Sequence, residues 1–319
     1  MTQDQQQFKH YQEKAEQGGA DALFALGCMY DNGDGTEQDY ALARTYYEQA
    51  VQKGHIKALT HLGTLYLQGA GIEQDFHQAK DYYQRAAQQG ASEAQYNLGL
   101  MYFKGEGIEQ NYEKAADYFH QAAEQGDIDS QFYLGLMYEN GAGVEQNIQK
   151  AIEYYKNAAD QGDTEAQYNL GMIYFTGNDE TSQDIPKAIE FFTVAADSGN
   201  ANAQFYLGLK YHLGDGVDED FTKAVAYYEQ AASQGHVNAL FSLGGMYYFA
   251  EGVAQDYPKA IAYYEQAADQ GNAYAQFNLG EIYEYGNGAE QDIAKAKKYY
   301  EQSCANGYEQ ACDKLHQVL

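Results

Sequence analysis

The chain has 319 residues, with 19 Lys and Arg against 47 Asp and Glu, and its formal net charge is −28. Nucleic acids and anionic membrane surfaces bind clustered positive charge, so this balance excludes nucleic acid as an expected partner. Because 45% of the residues are apolar and 15% are aromatic, the chain can build a core and general disorder is excluded as well.

A Leu-Gly pair recurs along the chain and defines a repeated unit. Its positions are Leu26-Gly27, Leu62-Gly63, Leu98-Gly99, Leu134-Gly135, Leu170-Gly171, Leu207-Gly208, Leu243-Gly244 and Leu279-Gly280. The step is 36 residues throughout, except for one step of 37 after Leu170, and a further step of 36 reaches Leu315. We therefore predict an N-terminal capping half-repeat over 1–19, eight repeats over 20–306 and a C-terminal capping helix over 307–319.

The third unit illustrates why each repeat is expected to form two helices. Leu98 and Tyr102 lie four residues apart, on one face of a first helix. Glycines in the segment 105–110 then interrupt the helix, and Asn111 is the predicted N-cap of a second helix. That second helix carries an apolar stripe at helical spacing, formed by Ala115, Tyr118, Phe119 and Ala122.

An aromatic pair recurs in the second helix of every unit. The pairs are Tyr46-Tyr47, Tyr82-Tyr83, Tyr118-Phe119, Tyr154-Tyr155, Phe191-Phe192, Tyr227-Tyr228, Tyr263-Tyr264 and Tyr299-Tyr300. A platform for stacking sugars or bases would also be rich in tyrosine. Because the pairs hold one fixed place in a helical repeat, we interpret them as repeat core.

The unit pattern resembles the Sel-1-like repeat, a relative of the tetratricopeptide repeat. The pattern reads A-Q-Y-N-L-G-x-M-Y, then G-x-G-[IV]-x-Q-[DN], then K-A-x-x-Y-Y-x-x-A-A-x-x-G, and the resemblance covers residues 8–319. It implies a bacterial, all-α protein: a right-handed α-solenoid, or superhelix, of eight helix-turn-helix repeats with terminal half-repeats. It also implies a non-enzymatic adaptor that holds a protein or peptide on its concave face.

Two loops depart from the pattern. The fifth, 177–183, is one residue longer and lacks the second glycine, and the seventh has Ala250 in place of the first glycine. We expect both loops to differ in shape from the others. Tolerated drift and a local partner contact both remain open as explanations.

The resemblance also implies which first-helix positions face a partner, namely those two before, two after and five after each Leu of the Leu-Gly pair. In the middle of the chain these residues are Tyr96, Leu100, Phe103, Phe132, Leu136, Glu139, Tyr168, Met172, Phe175, Phe205, Leu209, His212, Phe241 and Tyr248. They are largely aromatic and apolar, with acids at intervals, so we expect a partner of basic character. For the aromatics two before Leu, burial between repeats is the alternative to exposure in a groove.

Cys304 and Cys312 stand eight residues apart on either side of the Gly307 turn. This spacing resembles the cysteine-rich branch of bacterial Sel-1-like proteins, which implies a disulfide between them. Disulfides persist mainly outside the cytosol, whereas the chain begins without the basic and apolar regions of a signal peptide. We expect a cytoplasmic location, or a periplasmic or secreted one if a leader has been removed, and no membrane insertion.

No catalytic, metal or cofactor motif is recognisable. H-E-x-x-H, Cys-x-x-Cys, S-x-x-K and K-T-G are all absent, and the recurrent G-x-G segments join two helices and do not follow a strand. The main hypothesis is a binding scaffold without cofactors. The alternatives are an immunity protein that neutralises a secreted toxin such as a phospholipase, an enzyme acting on β-lactams or cell-wall fragments, and a self-associating structural protein.

Overall fold

The computed structural model describes residues 2–177 and 181–317, and within these ranges every regular element is a helix. The chain divides after Gln161 into two compact units. The first unit contains α1 (Gln3–Glu16), α2 (Ala20–Asn32), α3 (Tyr40–Gln52), α4 (Ile56–Gln68), α5 (Phe76–Ala87), α6 (Ser92–Lys104), α7 (Tyr112–Ala123), α8 (Ile128–Asn140) and α9 (Ile148–Ala159).

The second unit contains α10 (Thr164–Thr176), α11 (Ile185–Asp197), α12 (Ala201–Leu213), α13 (Phe221–Ser233), α14 (Val237–Phe249), α15 (Tyr257–Asp269), α16 (Ala273–Tyr285), α17 (Ile293–Ala305) and α18 (Glu309–Gln317). The even-numbered helices from α2 to α16 are the first helices of the eight repeats, and the odd-numbered helices from α3 to α17 are the second helices. Within each unit, every helix packs mainly against its neighbours in sequence. The prediction of an all-α solenoid of eight repeats is confirmed.

The Leu-Gly pair has a steric explanation. A Cβ atom built on Gly135 would lie 2.5 Å from a ring carbon of Tyr155, the second member of the aromatic pair in the same repeat. The same relation joins Gly27 to Tyr47 and Gly171 to Phe192. A side chain cannot fit in that space, so glycine allows the ring to lie directly against the first helix. The buried ring thus fills the space between the two helices of each repeat.

Only the second ring of each aromatic pair is fully buried. Tyr47, Tyr83, Phe119, Tyr155, Phe192, Tyr228, Tyr264 and Tyr300 are at most 2% exposed. The first ring is half-buried and stacks on a tyrosine of the first helix, as Tyr154 does on Tyr138 at 5.6 Å with ring planes 6° apart. The interpretation of both rings as core was therefore wrong for the first ring, which lies at the edge of the repeat.

Side-chain amides connect the first helix of a repeat to the turn that ends its second helix. Gln125 Nε2 donates to Gln95 Oε1 at 2.7 Å, and Gln161 donates to Gln131 at 2.8 Å. In the second unit Gln234 donates to Gln204 at 2.9 Å. These bonds satisfy glutamine side chains buried in the first helices, because an unpaired buried amide would be costly.

Caps fix where the second helices begin. The Asn111 side chain accepts a hydrogen bond from the Lys114 N–H at 2.9 Å, which confirms the predicted N-cap. Pro186 and Pro258 both lie in the first turn of their helices, as expected from their missing N–H.

Of the two loops predicted to differ in shape, the seventh begins with the usual conformation and the fifth does not. Ala250 adopts the left-handed conformation with φ 63° and ψ 39°, like the glycine that ends the other first helices, for example Gly214 at φ 64° and ψ 30°. The expectation that the seventh loop differs there was wrong. At Gly177 φ is 63° but ψ is 170°, so the fifth loop leaves its helix differently. The rest of that prediction falls on 178–180, which lie outside the described residues.

Candidate partner-binding face

The predicted partner-binding residues form a stripe along the first helices. Their offsets of −2, +2 and +5 from Leu are separated by four and three residues, so they fall on one helical face. The structure leaves all of the predicted residues, from Tyr96 to Tyr248, half-buried. We call this side of each unit the first-helix face.

The aromatic residues at offset −2 belong partly to the core. The Phe132 ring centroid lies 5.9 Å from that of Tyr155, and Phe205 lies 5.8 Å from Tyr228. Each of these rings therefore packs on the buried ring of its own repeat. Both rings are half-buried, so each is neither fully buried nor fully exposed, the two alternatives that the sequence left open.

Acids at offset +5 are held by buried tyrosines. Tyr155 Oη donates to Glu139 Oε2 at 2.7 Å, and Tyr300 Oη donates to Glu284 Oε2 at 2.6 Å. Burial opposes ionisation of Glu284, but the bonds from Tyr300 and Lys314 outweigh it and lower the pKa of this carboxyl group. Carboxylates at this position thus stabilise the repeat and are partly engaged before any partner binds.

Where the buried ring is phenylalanine, aromatic residues replace the acid. Phe103 lies 6.3 Å from Phe119, and Phe175 lies 6.3 Å from Phe192. The following repeat adds a tyrosine at offset −1, and Tyr133 stacks on Phe119 at 5.0 Å. The offset −1 residues were missed by the sequence analysis. A comparison of the repeats with one another would have found them, because this half-buried position is polar or aromatic in nearly every repeat.

Two other predicted residues contact neighbouring loops or helices. His212 Nε2 lies 3.4 Å from Glu251 Oε2, in the loop that follows α14. The Tyr248 ring lies 5.2 Å from Tyr257, at the start of α15. Both side chains therefore link the end of a first helix to another part of the second unit.

Lys210 is a charged residue at a core position. It is 2% exposed, and the equivalent positions hold apolar residues such as Met246 and Ile282. Its ammonium group contacts the Asp215 carboxylate and lies 4.1 Å from the ring centroid of Phe175. The ion pair and the ring compensate for the lost hydration of the charge. This lysine is therefore a structural contact of the sixth repeat.

Most other lysines lie on the second helices. A lysine in the first turn of the second helix sits over the first-helix tyrosine of its repeat, as Lys187 does over Tyr174 at 4.0 Å and Lys295 over Tyr283 at 3.9 Å. Lys295 also lies 3.5 Å from Glu265. The positive charge of the chain is thus concentrated away from the first-helix face.

The chain terminus carries the predicted cysteine pair. Cys304 in α17 and Cys312 in α18 are joined by a disulfide across a sequence separation of 8, with their Cα atoms 4.9 Å apart. The third cysteine, Cys28, is free and half-buried, and burial raises the pKa of its thiol. The disulfide connects the last helix to the eighth repeat.

Metal-binding clusters and membrane-spanning helices are both absent from the described residues. No group of three or more His, Cys, Asp or Glu side chains in 2–177 and 181–317 could hold a metal ion. Over the same stretches, no helix has both the length and the apolar character needed to cross a membrane.

These features define the class of tetratricopeptide-like α-solenoids, in which paired helices stack through a fixed set of small and aromatic residues. The model of the Sel1 repeat matches residues 20–55, 56–90, 92–127, 128–163, 164–200, 201–236, 237–272 and 273–308. The chain belongs to the Sel1 repeat family. Proteins of this family generally act as non-enzymatic scaffolds for protein–protein interactions.

Two solved structures with a high TM-score agree with this assignment. A protective antigen of uropathogenic Escherichia coli with an SLR fold is 32% identical, with a TM-score of 0.90 over 98% of this chain and 67% of that chain. A Sel1 repeat protein from Oxalobacter formigenes is 30% identical, with a TM-score of 0.77 over 98% and 90%. An immunity protein from Pseudomonas aeruginosa is 26% identical over 67% and 81%, with a TM-score of 0.41. A comparison with curated proteins finds no match.

Proposed function

We propose that this protein is a non-enzymatic scaffold that binds a protein or peptide segment along the first-helix face, the concave face expected for such solenoids. One observation carries the proposal. The glycine and the buried ring that pack the two helices together hardly change from repeat to repeat. The half-buried position five residues after Leu, in contrast, carries side chains of different chemistry. It holds Asp31, Leu67, Phe103, Glu139, Phe175, His212, Tyr248 and Glu284.

This variation has a physical meaning. A position that only maintains packing needs the same shape in each repeat, as the glycine of Leu-Gly does. A position that varies while its side chain remains accessible can distinguish one partner from another. The stripe combines aromatic and apolar anchors with carboxylates, which supports a partner segment that is apolar and basic.

The other interpretations remain predictions. None of the contacts among the described residues favours toxin neutralisation, β-lactam or cell-wall chemistry, or self-association over a scaffold. The net charge of −28 supports cationic partners in general and does not separate these roles.

Affinity capture from a lysate of the source organism tests the proposal. The wild-type chain is compared with a variant that carries Leu136→Thr and Leu209→Thr, because Thr64 occupies the equivalent position in the second repeat. The control is Val194→Asn, an exposed position of a second helix where the fourth repeat has Asn157. We expect one protein to be retained in stoichiometric amount by the wild type and the control, and to be lost with the variant and at high salt. Equal retention by the variant would contradict a role for the first-helix face.

A further inference from the structure

The last residue of each first helix differs between the early and the late repeats. In repeats one to five this exposed position is polar and holds Asn32, Gln68, Lys104, Asn140 and Thr176. In repeats six to eight it is apolar or aromatic: Leu213 is 61% exposed, Phe249 is 65% exposed and Tyr285 is 53% exposed. All three belong to the second unit. Exposed large apolar side chains at the same position of three successive repeats are favourable points of contact for a partner.

A small pocket lies within this region. Its volume is about 70 Å³, and its lining residues are Tyr248, Phe249, Tyr264, Asn278, Glu281 and Ile282. The Tyr248 and Phe249 ring centroids are 4.9 Å apart and their planes are inclined by 78°, which gives the pocket one aromatic wall. The pocket is large enough for the end of a single side chain.

Glu281 gives the pocket its charge. The equivalent residues in other repeats include Leu100, Leu136 and Leu209, so an acid stands where the repeat normally has an apolar side chain. Burial raises the pKa of Glu281, because its half-buried surroundings disfavour the charged form.

The nearest cation does not pair with this acid. Lys314 Nζ donates to Glu284 Oε2 at 3.3 Å and to Tyr285 Oη at 2.5 Å. Over the described stretches of the chain, no hydrogen bond or ion pair satisfies the Glu281 carboxylate. A half-buried carboxylate of this kind gains most from an external cation.

We propose that the first-helix ends of repeats six to eight form a docking patch for a segment of a partner protein that carries a lysine or arginine beside apolar side chains. The apolar side chains cover Leu213, Phe249 and Tyr285, and the cationic group reaches Glu281. This inference rests on the proposed scaffold function and narrows it to one site and one partner chemistry. The net charge of −28 favours the approach of such a segment.

The repeats themselves supply the test variants. Phe249→Asn combined with Tyr285→Asn installs the residue that repeats one and four carry at this position, so the fold should be retained. Glu281→Gln removes the charge and keeps the size. Val194→Asn, on a second helix of the same unit, is the matched control for loss of an exposed apolar side chain. Circular dichroism melting of each full-length variant confirms that the fold is intact.

The probe is a phage library of random linear dodecamer peptides, panned against the full wild-type chain. We expect selected peptides to be enriched in Lys or Arg next to Leu, Phe or Trp. Fluorescence anisotropy should show affinities at least about tenfold weaker for Phe249→Asn/Tyr285→Asn and for Glu281→Gln, and unchanged for Val194→Asn.

Three outcomes would overturn the inference. Peptides that bind the double variant as tightly as the wild type would place the site elsewhere, while the scaffold function would still stand. Failure to enrich any peptide would contradict a partner segment with Lys or Arg beside apolar side chains. The affinity capture from lysate tests the scaffold function independently of that result. Sedimentation of the wild type as a dimer, with a monomeric double variant, would show that a second copy covers the patch.

Discussion

At the scale of single residues, the glycine of each Leu-Gly pair explains how the repeat closes. The sequence revealed its period, because the dipeptide returns every 36 residues. It could not reveal the reason, since Gly244 meets the ring of Tyr264, which lies a full helix further along the chain. Contacts of that kind depend on tertiary packing, whereas the repeat period can be read directly from the amino-acid sequence.

Two adjacent glycines in α14 test this explanation. A Cβ on Gly244 would lie 2.5 Å from the Tyr264 ring, whereas one on Gly245 would meet only the Tyr264 hydroxyl at 3.6 Å. We expect Gly244→Ala to lower the free energy of unfolding by about 1–3 kcal/mol through overpacking. Gly245→Ala should instead raise it by up to about 1 kcal/mol, because alanine favours helix. Urea unfolding followed by circular dichroism measures both, and equal shifts in the same direction would refute the steric account.

Buried tyrosine hydroxyls should make the fold sensitive to alkali. Burial raises the pKa of Tyr83, Tyr228 and Tyr264 from the usual 10.0 to about 12. The folded state then holds these protons more tightly than the unfolded state. The stabilisation that these protonated hydroxyls contribute is fully present below pH 10 and is lost as the pH rises to about 12. Urea midpoints measured across this range should fall.

Tyr228→Phe provides the control for that pH dependence. Phe119 and Phe192 occupy the equivalent site in the third and fifth repeats, so the substitution fits the repeat. The variant lacks one titrating group and should lose less stability between pH 10 and about 12 than the wild type does. An identical pH profile would mean that this hydroxyl ionises equally well in both states.

At the scale of elements, the loops show why a local sequence rule can fail. Alanine in place of glycine predicted a different shape, yet Ala250 keeps the left-handed conformation at φ 63°. Backbone bonds hold it there: Glu251 N–H donates to the Met246 carbonyl at 3.0 Å, and Asp256 N–H donates to that of Tyr247 at 3.0 Å. The hydrogen bonds of the repeat therefore override the preference of one residue.

Ala250 should consequently carry strain that glycine would relieve. A left-handed conformation costs a non-glycine residue about 1–2 kcal/mol, and glycine loses part of this gain through its larger unfolded-state entropy. We expect Ala250→Gly to raise the free energy of unfolding by about 0.5–1 kcal/mol in urea titrations. A lower free energy of unfolding would show that the loop does not hold Ala250 under strain.

The terminal disulfide should stabilise the last helix. Alkylation with iodoacetamide after denaturation without reductant is expected to label Cys28 alone, because Cys304 and Cys312 are bonded. Replacing both bonded cysteines by alanine should lower the free energy of unfolding by about 2–3 kcal/mol in the chain-entropy description. The same double substitution measured in excess reductant is the control, and there the difference from wild type should vanish. Labelling of all three cysteines would contradict a disulfide in the purified protein.

At the scale of the whole molecule, the repeat pattern predicted the fold class because eight copies of one pattern reinforce each other. The family resemblance implied the positions of the first-helix stripe from Tyr96 to Tyr248, and their role in binding a partner stays a prediction. The exposed residues Leu213, Phe249 and Tyr285 were missed, because they mark a difference between repeats, whereas the repeat pattern consists of what the repeats share. Glu281, which has no hydrogen-bond or ion-pair partner among the described residues, could not be recognised either, since pairing depends on where Lys314 points.

The net charge of −28 should also affect stability. Like charges in the compact state repel one another, and salt screens them over a Debye length of about 10 Å at 0.1 M. We expect the thermal midpoint to rise when sodium chloride is added to a low-salt buffer. Adding an uncharged osmolyte of equal osmolality should not reproduce the dependence on ionic strength. A midpoint that falls with salt would mean that attractive pairs such as Lys295–Glu265 dominate.

The concentration of lysines on the second helices has a practical consequence for any binding assay. Reagents that attach proteins to a sensor surface through primary amines will react mostly with these lysines, because Lys210 on α12 is buried and Lys57 and Lys104 are the exposed lysines of the first helices. Coupling through the second helices leaves the first-helix face of the attached repeats open to the flowing analyte. Amine coupling is therefore suited to assays of the proposed site.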